Sequence, residues 1–210
     1  MLLNYASNMP VLVIASLIMI MTLILHNIVQ ALVAHKLGDS TARNAGFANF
    51  EPTLQLDMMG VILLMILGFG WARAIPVNSR NFPGRGKQEA WVWLSGIGVF
   101  LAVGFVTLVL GVLFANLDNP VLRMAFVTAS NVATLHAVVH LIPVLPLDMA
   151  RAALAWGHPT LRRFIQQIAQ YGPMGFLLFF IVLNFTGILG MLNRVITSAY
   201  LWLIQLIPGL

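Results

Sequence analysis

Four ionisable side chains stand in stretches that are otherwise almost wholly apolar: His26, His136, His140 and Asp148. His136 and His140 are four residues apart and so share one face of a helix, as do His26 and Gln30. Two imidazoles so placed, with a carboxylate from another element, match the donor set of a zinc site. The spacing alone leaves two other uses open. The same groups can hydrogen-bond one another and nearby carbonyls to hold helices together, and an imidazole can ligate haem or a chlorophyll-type ring axially.

The elements that must position these groups follow from composition. The chain has 210 residues, 60% apolar and 8% Asp, Glu, Lys and Arg, against about 45–50% and about 25% in soluble domains. Eleven basic and six acidic side chains are too few to solvate a globular surface of this size. The composition is that of an integral membrane protein whose first partner is the lipid bilayer. An ionisable group in a bilayer costs about 2.5–3.5 kcal/mol, so such groups face the bundle interior and mark a site. The net charge of +5 is spread over several polar segments with no basic run interleaved with aromatics, which argues against a nucleic-acid partner. With no cysteine, disulfides, thiolate metal sites and cysteine nucleophiles are all excluded. The N-terminal apolar stretch is too long for a cleaved signal peptide and reads as a retained helix.

A spanning helix needs about 20 apolar residues. Candidate spans cover about 9–37, 58–71, 90–115, 121–142 and 173–191, with 193–206 either a sixth span or an interfacial helix. The polar segment 38–57, with alternation at Phe47-Ala48-Asn49-Phe50, predicts a short membrane-associated β-hairpin. Pro143 and Pro146 break the fourth span and leave a half-length helix at 147–156, a break tolerated at membrane depth only where it is buried or wet. Residues 160–170 read as an amphipathic helix, and Asp118-Asn119-Pro120 as a tight turn. The loops after spans two and four carry seven Lys/Arg against four on the other side, so this count puts those loops and the N-terminus in the cytoplasm. His35 reads as interfacial and His158 as a loop residue, while the tryptophans fall near span ends as an aromatic belt. NFPGRGK lacks the spacing of a phosphate loop.

The stretch LHNIVQALVAHKLGDSTARNAG from Leu25 resembles the small bacterial branch of the site-2 protease family of intramembrane zinc metalloproteases, which reads approximately LHExxHALVAxxLGDxTARxxG. The resemblance continues through FEPTLQLDMMG, FGWARAIPVNSRNF, LSGIGVF, HLIPVLPLDMAR and YGPMG, about Leu25 to Val182. It implies a single all-α polytopic membrane domain, 1–210: a site-2 protease-like bundle of five to six transmembrane helices with a core at about 25–182 and an apolar C-terminal helix at 193–206. It also implies a bacterial cytoplasmic (inner) membrane location.

The departures bear on activity. Asn27 stands where the family has its general-base glutamate, and Gln30 where it has its second histidine ligand. Asp148 matches the family's third ligand, in an LDM rather than an LDG, and His140 replaces a family asparagine. Gly96 survives from a Gly-Pro-x-x-x-Asn pattern now followed by apolar residues, among them Ile97 and Phe100. A carboxamide cannot take a proton from water near neutral pH, and losing a positioned base costs about 10²–10⁴-fold in rate. An amide oxygen is also a poor zinc ligand beside imidazole and carboxylate. The reading is a pseudoprotease that binds transmembrane segments of other membrane proteins, with no intact catalytic set. The alternative is a metalloprotease using zinc on a relocated His26–His140–Asp148 shell, with His136 and Gln30 either hydrogen-bonding to those ligands or replacing one of them. Ile97 and Phe100 are expected on the surface that packs the partner helix.

Overall fold

Three long apolar stretches become helices and set the frame. In the computed structural model, which describes Leu2 and residues 7–208, these are α1 (Met9–Lys36), α5 (Gly86–Asn116) and α6 (Pro120–His140). Between them lie α2 (Thr41–Asn44), α3 (Pro52–Gln55) and α4 (Met58–Leu67). After them come α7 (Asp148–Trp156), α8 (Pro159–Ala169), α9 (Gly172–Phe185) and α10 (Ile188–Ile204).

The turn between α5 and α6 forms where Asp118-Asn119-Pro120 predicts it. Asp118 takes φ 53°, the Asn119 side chain accepts from the Leu122 N–H at 3.0 Å, and Pro120 opens α6. So short a turn makes α5 and α6 antiparallel. Helix α1 runs parallel to α6: Asn8 lies against Met124 at one end, and His26 reaches Asp148, just past the end of α6, at the other. Alanines at 15, 129, 133 and 137 let α1 and α6 approach closely, with Met19, Leu23 and Phe100 filling the space between.

Helices α1, α5 and α6, of 28, 31 and 21 residues, are long and apolar enough to cross a membrane. Among the described residues a fourth span is reached only if α8 and α9, bent by 107°, count as one. The expectation of five to six spans is therefore corrected. Helix α4 has ten residues, about 15 Å at 1.5 Å per residue and half the hydrocarbon core. It ends at Gly68 in the left-handed conformation, after which the chain turns back. Leu56 and Ala72 pair as an antiparallel bridge, and the Arg73 N–H donates to the Gln55 carbonyl at 2.7 Å. Residues 56–73 thus enter and leave at one end of the bundle. Gly60 and Gly70 permit this, since a Cβ on either would sit 2.0 Å from backbone oxygen on the opposite leg.

The β-hairpin expected in 38–57 does not form; among the described residues there is no strand, only that one bridge. Local polar side chains take the backbone groups that a hairpin would use. Asp39 accepts from the Thr41 N–H and hydroxyl at the start of α2, and the Gln55 side chain donates to the carbonyls of Phe47 and Asn49. The segment expected to span 173–191 is likewise two helices, parted at Gly187 with φ 74°. Helix α10 covers 188–204 and packs along α6, with the Tyr200 hydroxyl donating to the Leu101 carbonyl at 2.8 Å.

The re-entrant 56–73 segment also changes the sidedness. Because it does not cross, the chain after α1 stays at one end of the bundle until α5 begins, and returns there after α6. Nine of the eleven Lys/Arg lie at this end: Lys36, Arg43, Arg73, Arg80, Arg85, Lys87, Arg151, Arg162 and Arg163. The start of α1 lies at the opposite end, with Arg123. Grouping the N-terminus with the basic loops is therefore corrected.

Asp39 fastens this end. Burial raises the pKa of its carboxyl, but hydrogen bonds from Thr41, Asn78 and Asn81 outweigh that and hold it below the ordinary carboxylate range. A lowered folded-state pKa stabilises the fold above the unfolded value and loses that stability as pH falls through the folded one. Between about pH 5 and pH 3, the thermal midpoint in detergent is expected to fall further for the wild type than for Asp39→Asn. Gly70→Ala, which drives a methyl into the Gly60 carbonyl, should destabilise by more than about 3 kcal/mol in the same melt. A near-neutral result would exclude the re-entrant geometry.

Candidate metal centre

His26 sits ten residues before the end of α1, about 15 Å along the axis. His140 closes α6, and Asp148 opens α7 just after the proline break, where the helix dipole favours a carboxylate. These three buried side chains meet. Asp148 Oδ2 lies 2.8 Å from His26 Nε2 and 2.8 Å from His140 Nδ1. Each can offer one ligand atom such that all three lie within 4.8 Å of one another. Gln30, one turn along α1, donates to Asp148 Oδ1 at 3.0 Å and to the Trp93 carbonyl at 3.3 Å. Its amide nitrogen, not its oxygen, faces the cluster, so Gln30 supports the carboxylate and supplies no ligand atom.

Gly96 makes this proximity possible. A Cβ there would stand 2.3 Å from His26 Nε2 and 2.4 Å from Gln30 Nε2. The Phe100 ring, one turn further along α5, packs on His26, His140 and His136 at centroid distances of 5.0, 4.8 and 5.3 Å. Ile97 and Phe100 are both buried. They are internal packing around the imidazoles and not the outward helix-binding surface expected of them.

Asn27 is fully engaged. Its Nδ2 donates to the Arg73 carbonyl at 2.8 Å and the Gln55 carbonyl at 3.3 Å, beside the Leu56–Ala72 bridge. That turns Oδ1 toward His26 Nδ1, 3.1 Å away, which must therefore be the N–H donor. His26 Nε2 then faces a carboxylate oxygen at 2.8 Å, and two lone pairs cannot share that distance. A proton or a cation must therefore lie between the two atoms.

His136 does not join the cluster as a ligand. Its Nδ1 donates to the Val132 carbonyl at 2.7 Å and its Nε2 accepts from the Gly70 N–H at 3.2 Å, so no lone pair remains for a metal. It anchors the returning leg of the re-entrant segment to α6. His140 is different: its Nε2 is buried and has no hydrogen-bond partner among the described residues.

The cluster borders a cavity of about 210 Å³, whose wall also includes Asp57, Trp93 and Arg151. Sequence reasoning passed over all three as site residues. Trp93 was assigned to the aromatic belt, yet it is buried with the Arg151 guanidinium 5.0 Å over its ring. Asp57 caps α4 by accepting from the Gly60 N–H at 2.9 Å. A second, apolar groove of about 750 Å³ adjoins the cavity, sharing Asp57, Trp71 and Pro146 and continuing along Met59, Met174 and Leu177. His35 bonds Ser40 and Arg43 beyond the end of α1, and His158 caps α8.

No family model and no solved structure matches the chain. It is 34% identical to a curated protein of Bacillus subtilis (strain 168), over 83% of this chain and 82% of that one. The relative's name is "Putative zinc metalloprotease YwhC". The chain belongs to this metalloprotease-like family. Its own donor set suits the metal in that name: two imidazoles and one carboxylate match a three-ligand zinc site. The 2.8 Å spacings are those of hydrogen bonds, and donors about 2.0–2.1 Å from one tetrahedral ion lie about 3.3 Å apart. Admitting the ion, with His26, His140 and Asp148 as ligands, would require Asp148 Oδ2 to draw back from both imidazoles.

Removing the carboxylate from this buried cluster leaves His26, His140 and Gln30 without their shared partner. Asp148→Ala should cost about 3–5 kcal/mol, read as the shift in detergent thermal midpoint, whereas Arg194→Ala on exposed α10 should change it little. Equal effects of the two would mean that Asp148 does not hold α1, α6 and α7 together.

Proposed function

We propose that the chain is a site-2 protease-like protein of the bacterial cytoplasmic membrane that does not cleave peptides and instead holds a transmembrane segment of another membrane protein. The observation that carries this reading is the engagement of Asn27. The residue at the general-base position has its amide on two backbone carbonyls and its oxygen on His26. A carboxylate there would face those carbonyls without a proton to share. Gln30, at the position of the second ligand, donates to Asp148. Both departures from the HExxH pattern therefore have structural uses within this fold. The apolar groove beside the cavity supports the binding role, since its Met and Leu lining suits an apolar helix. The basic end of the bundle is the cytoplasmic one on the positive-inside rule.

A second reading is favoured by one observation: three potential metal ligands converge, and a proton or a cation must lie between His26 Nε2 and Asp148 Oδ2. On that reading the chain is a zinc-dependent intramembrane hydrolase, with His26, His140 and Asp148 as ligands. Zinc bound there would supply a polarised water at neutral pH. The chain's own residues would hold the ion, fix the His26 tautomer through Asn27, and exclude bulk water with Phe100 and Trp93.

The two readings part on cleavage. Purified protein with zinc added is expected to leave single-span test substrates intact. A photocrosslinker at Met174 in the groove should capture an added single-span segment, and one at the outward-facing Met21 should not. Cleavage by the wild type that is lost in Asp148→Ala would overturn the proposal in favour of the hydrolase. Elemental analysis of the two proteins reports separately whether the centre holds zinc.

A further inference from the structure

At the basic end of the bundle, away from the histidine cluster, three arginines from separate segments line one cleft of about 600 Å³. Arg80 comes from the 3₁₀ turn at Ser79–Asn81, Arg85 from the residue before α5, and Arg162 from the first half of α8. None of the three has a carboxylate oxygen within 4.0 Å among the described residues, where the only ion pairs are those of Asp148. Glu89 is the one acidic residue in the lining, so the cleft carries three positive charges against one negative. Like charges brought together without partners repel, and the arrangement calls for an anion.

The backbone adds to this. Arg85 holds φ 48° at the N-cap of α5, and its side chain makes no capping hydrogen bond. The Gln88 and Glu89 N–H groups donate to the Arg85 carbonyl, which leaves the N–H groups of Gly86 and Lys87, with the dipole of a 31-residue helix, at the edge of the cleft that Gly86 lines. The floor is fixed by Gly86, where a Cβ would meet the Ala155 carbonyl at 2.0 Å, so the start of α5 lies directly on α7. At this end of the bundle, Trp156, next to the lining residue Ala155, is 63% exposed, and Trp91 in the second turn of α5 is 57% exposed. Lys87 Nζ lies 5.7 Å over the Trp156 ring. Exposed tryptophans beside basic residues at a span end mark the headgroup level of a bilayer.

We propose that the Arg80–Arg85–Arg162 cleft binds a phosphate group, supplied by the headgroup of an acidic phospholipid. Arginine suits this role because its planar fork takes two phosphate oxygens at once, and basic pockets among helix ends on the cytoplasmic side are where anionic headgroups bind. The lipid would pin α8 and the 78–85 turn to the start of α5, independently of what occupies the histidine cluster.

The test uses the full chain in neutral detergent with dioleoylphosphatidylglycerol, dioleoylphosphatidylcholine or inorganic phosphate as probe. Bound lipid is counted by native mass spectrometry and affinity read from the thermal midpoint against probe concentration. Phosphatidylglycerol should bind at one site per chain and raise the midpoint, and phosphatidylcholine should not. The triple variant Arg80→Gln/Arg85→Gln/Arg162→Gln should bind phosphatidylglycerol about 100-fold more weakly, and each single variant about 5-fold. The single variants decide the matter if the triple one does not fold. Arg123→Gln at the opposite end should have no effect, and Glu89→Gln should tighten binding. If inorganic phosphate binds and competes with the lipid, the cleft takes soluble phosphate as well; if it does not, the lipid headgroup is the source. Equal affinity of wild type and arginine variants for both anionic probes would overturn the proposal.

Discussion

The structure depends on one buried carboxylate. Asp148 accepts from His26 on α1, His140 on α6 and Gln30 on α1, and itself begins α7. An isolated carboxylate at this depth would be too costly to keep charged. Here it is met by three side chains and a helix N-terminus. The same contacts join three elements in a medium where apolar surface does little to drive one helix against another. A cluster with the donor set of a metal site and a cluster that holds the bundle together are thus the same atoms. Chemistry and architecture cannot be varied separately there.

Around that node, small and aromatic residues have complementary tasks. Gly96 lets the His26 and Gln30 side chains lie against the α5 backbone, and Phe100 fills the space that three imidazoles leave between them. Asn27 and His136 reach outward from the same region and hold the two legs of the re-entrant segment, one through the carbonyls of Gln55 and Arg73, the other through the Gly70 N–H. Backbone that is not helical is tolerated at membrane depth only when such partners satisfy it. Both residues drew attention in the sequence as possible chemistry, and in the structure both satisfy backbone.

The re-entrant segment has a wider consequence. By entering and leaving at one end, it places the loops after α1 and before α5 together, where Asp39 bonds Asn78 and Asn81. The basic residues gather at that end, and with them the arginine cleft and the amphipathic α8. The apolar groove and the histidine-lined cavity share part of their walls, so a helix in the groove would lie beside the cluster without having to unwind into it.

Much of this was legible in the residues themselves. The apolar runs, the proline break before Asp148, the turn at Asp118–Pro120 and the amphipathic α8 follow from local chemistry, because helix periodicity and turn residues act over a few positions. That His26, His136, His140 and Asp148 face the interior was also legible, since a bilayer leaves ionisable groups few places to go, whereas the set of His26, His140 and Asp148 came from the family resemblance. What the sequence alone determined, then, was a helical membrane protein with a buried polar cluster. Tertiary structure decided which apolar stretches cross: 58–71 turns back only because Gly60 and Gly70 meet across the two legs, a pairing distant along the chain. It also decided the roles of the polar residues. His136 satisfies Gly70, and Asn27 and Gln30 serve as donors, because a side chain's use depends on the carbonyls and carboxylates that other elements bring to it.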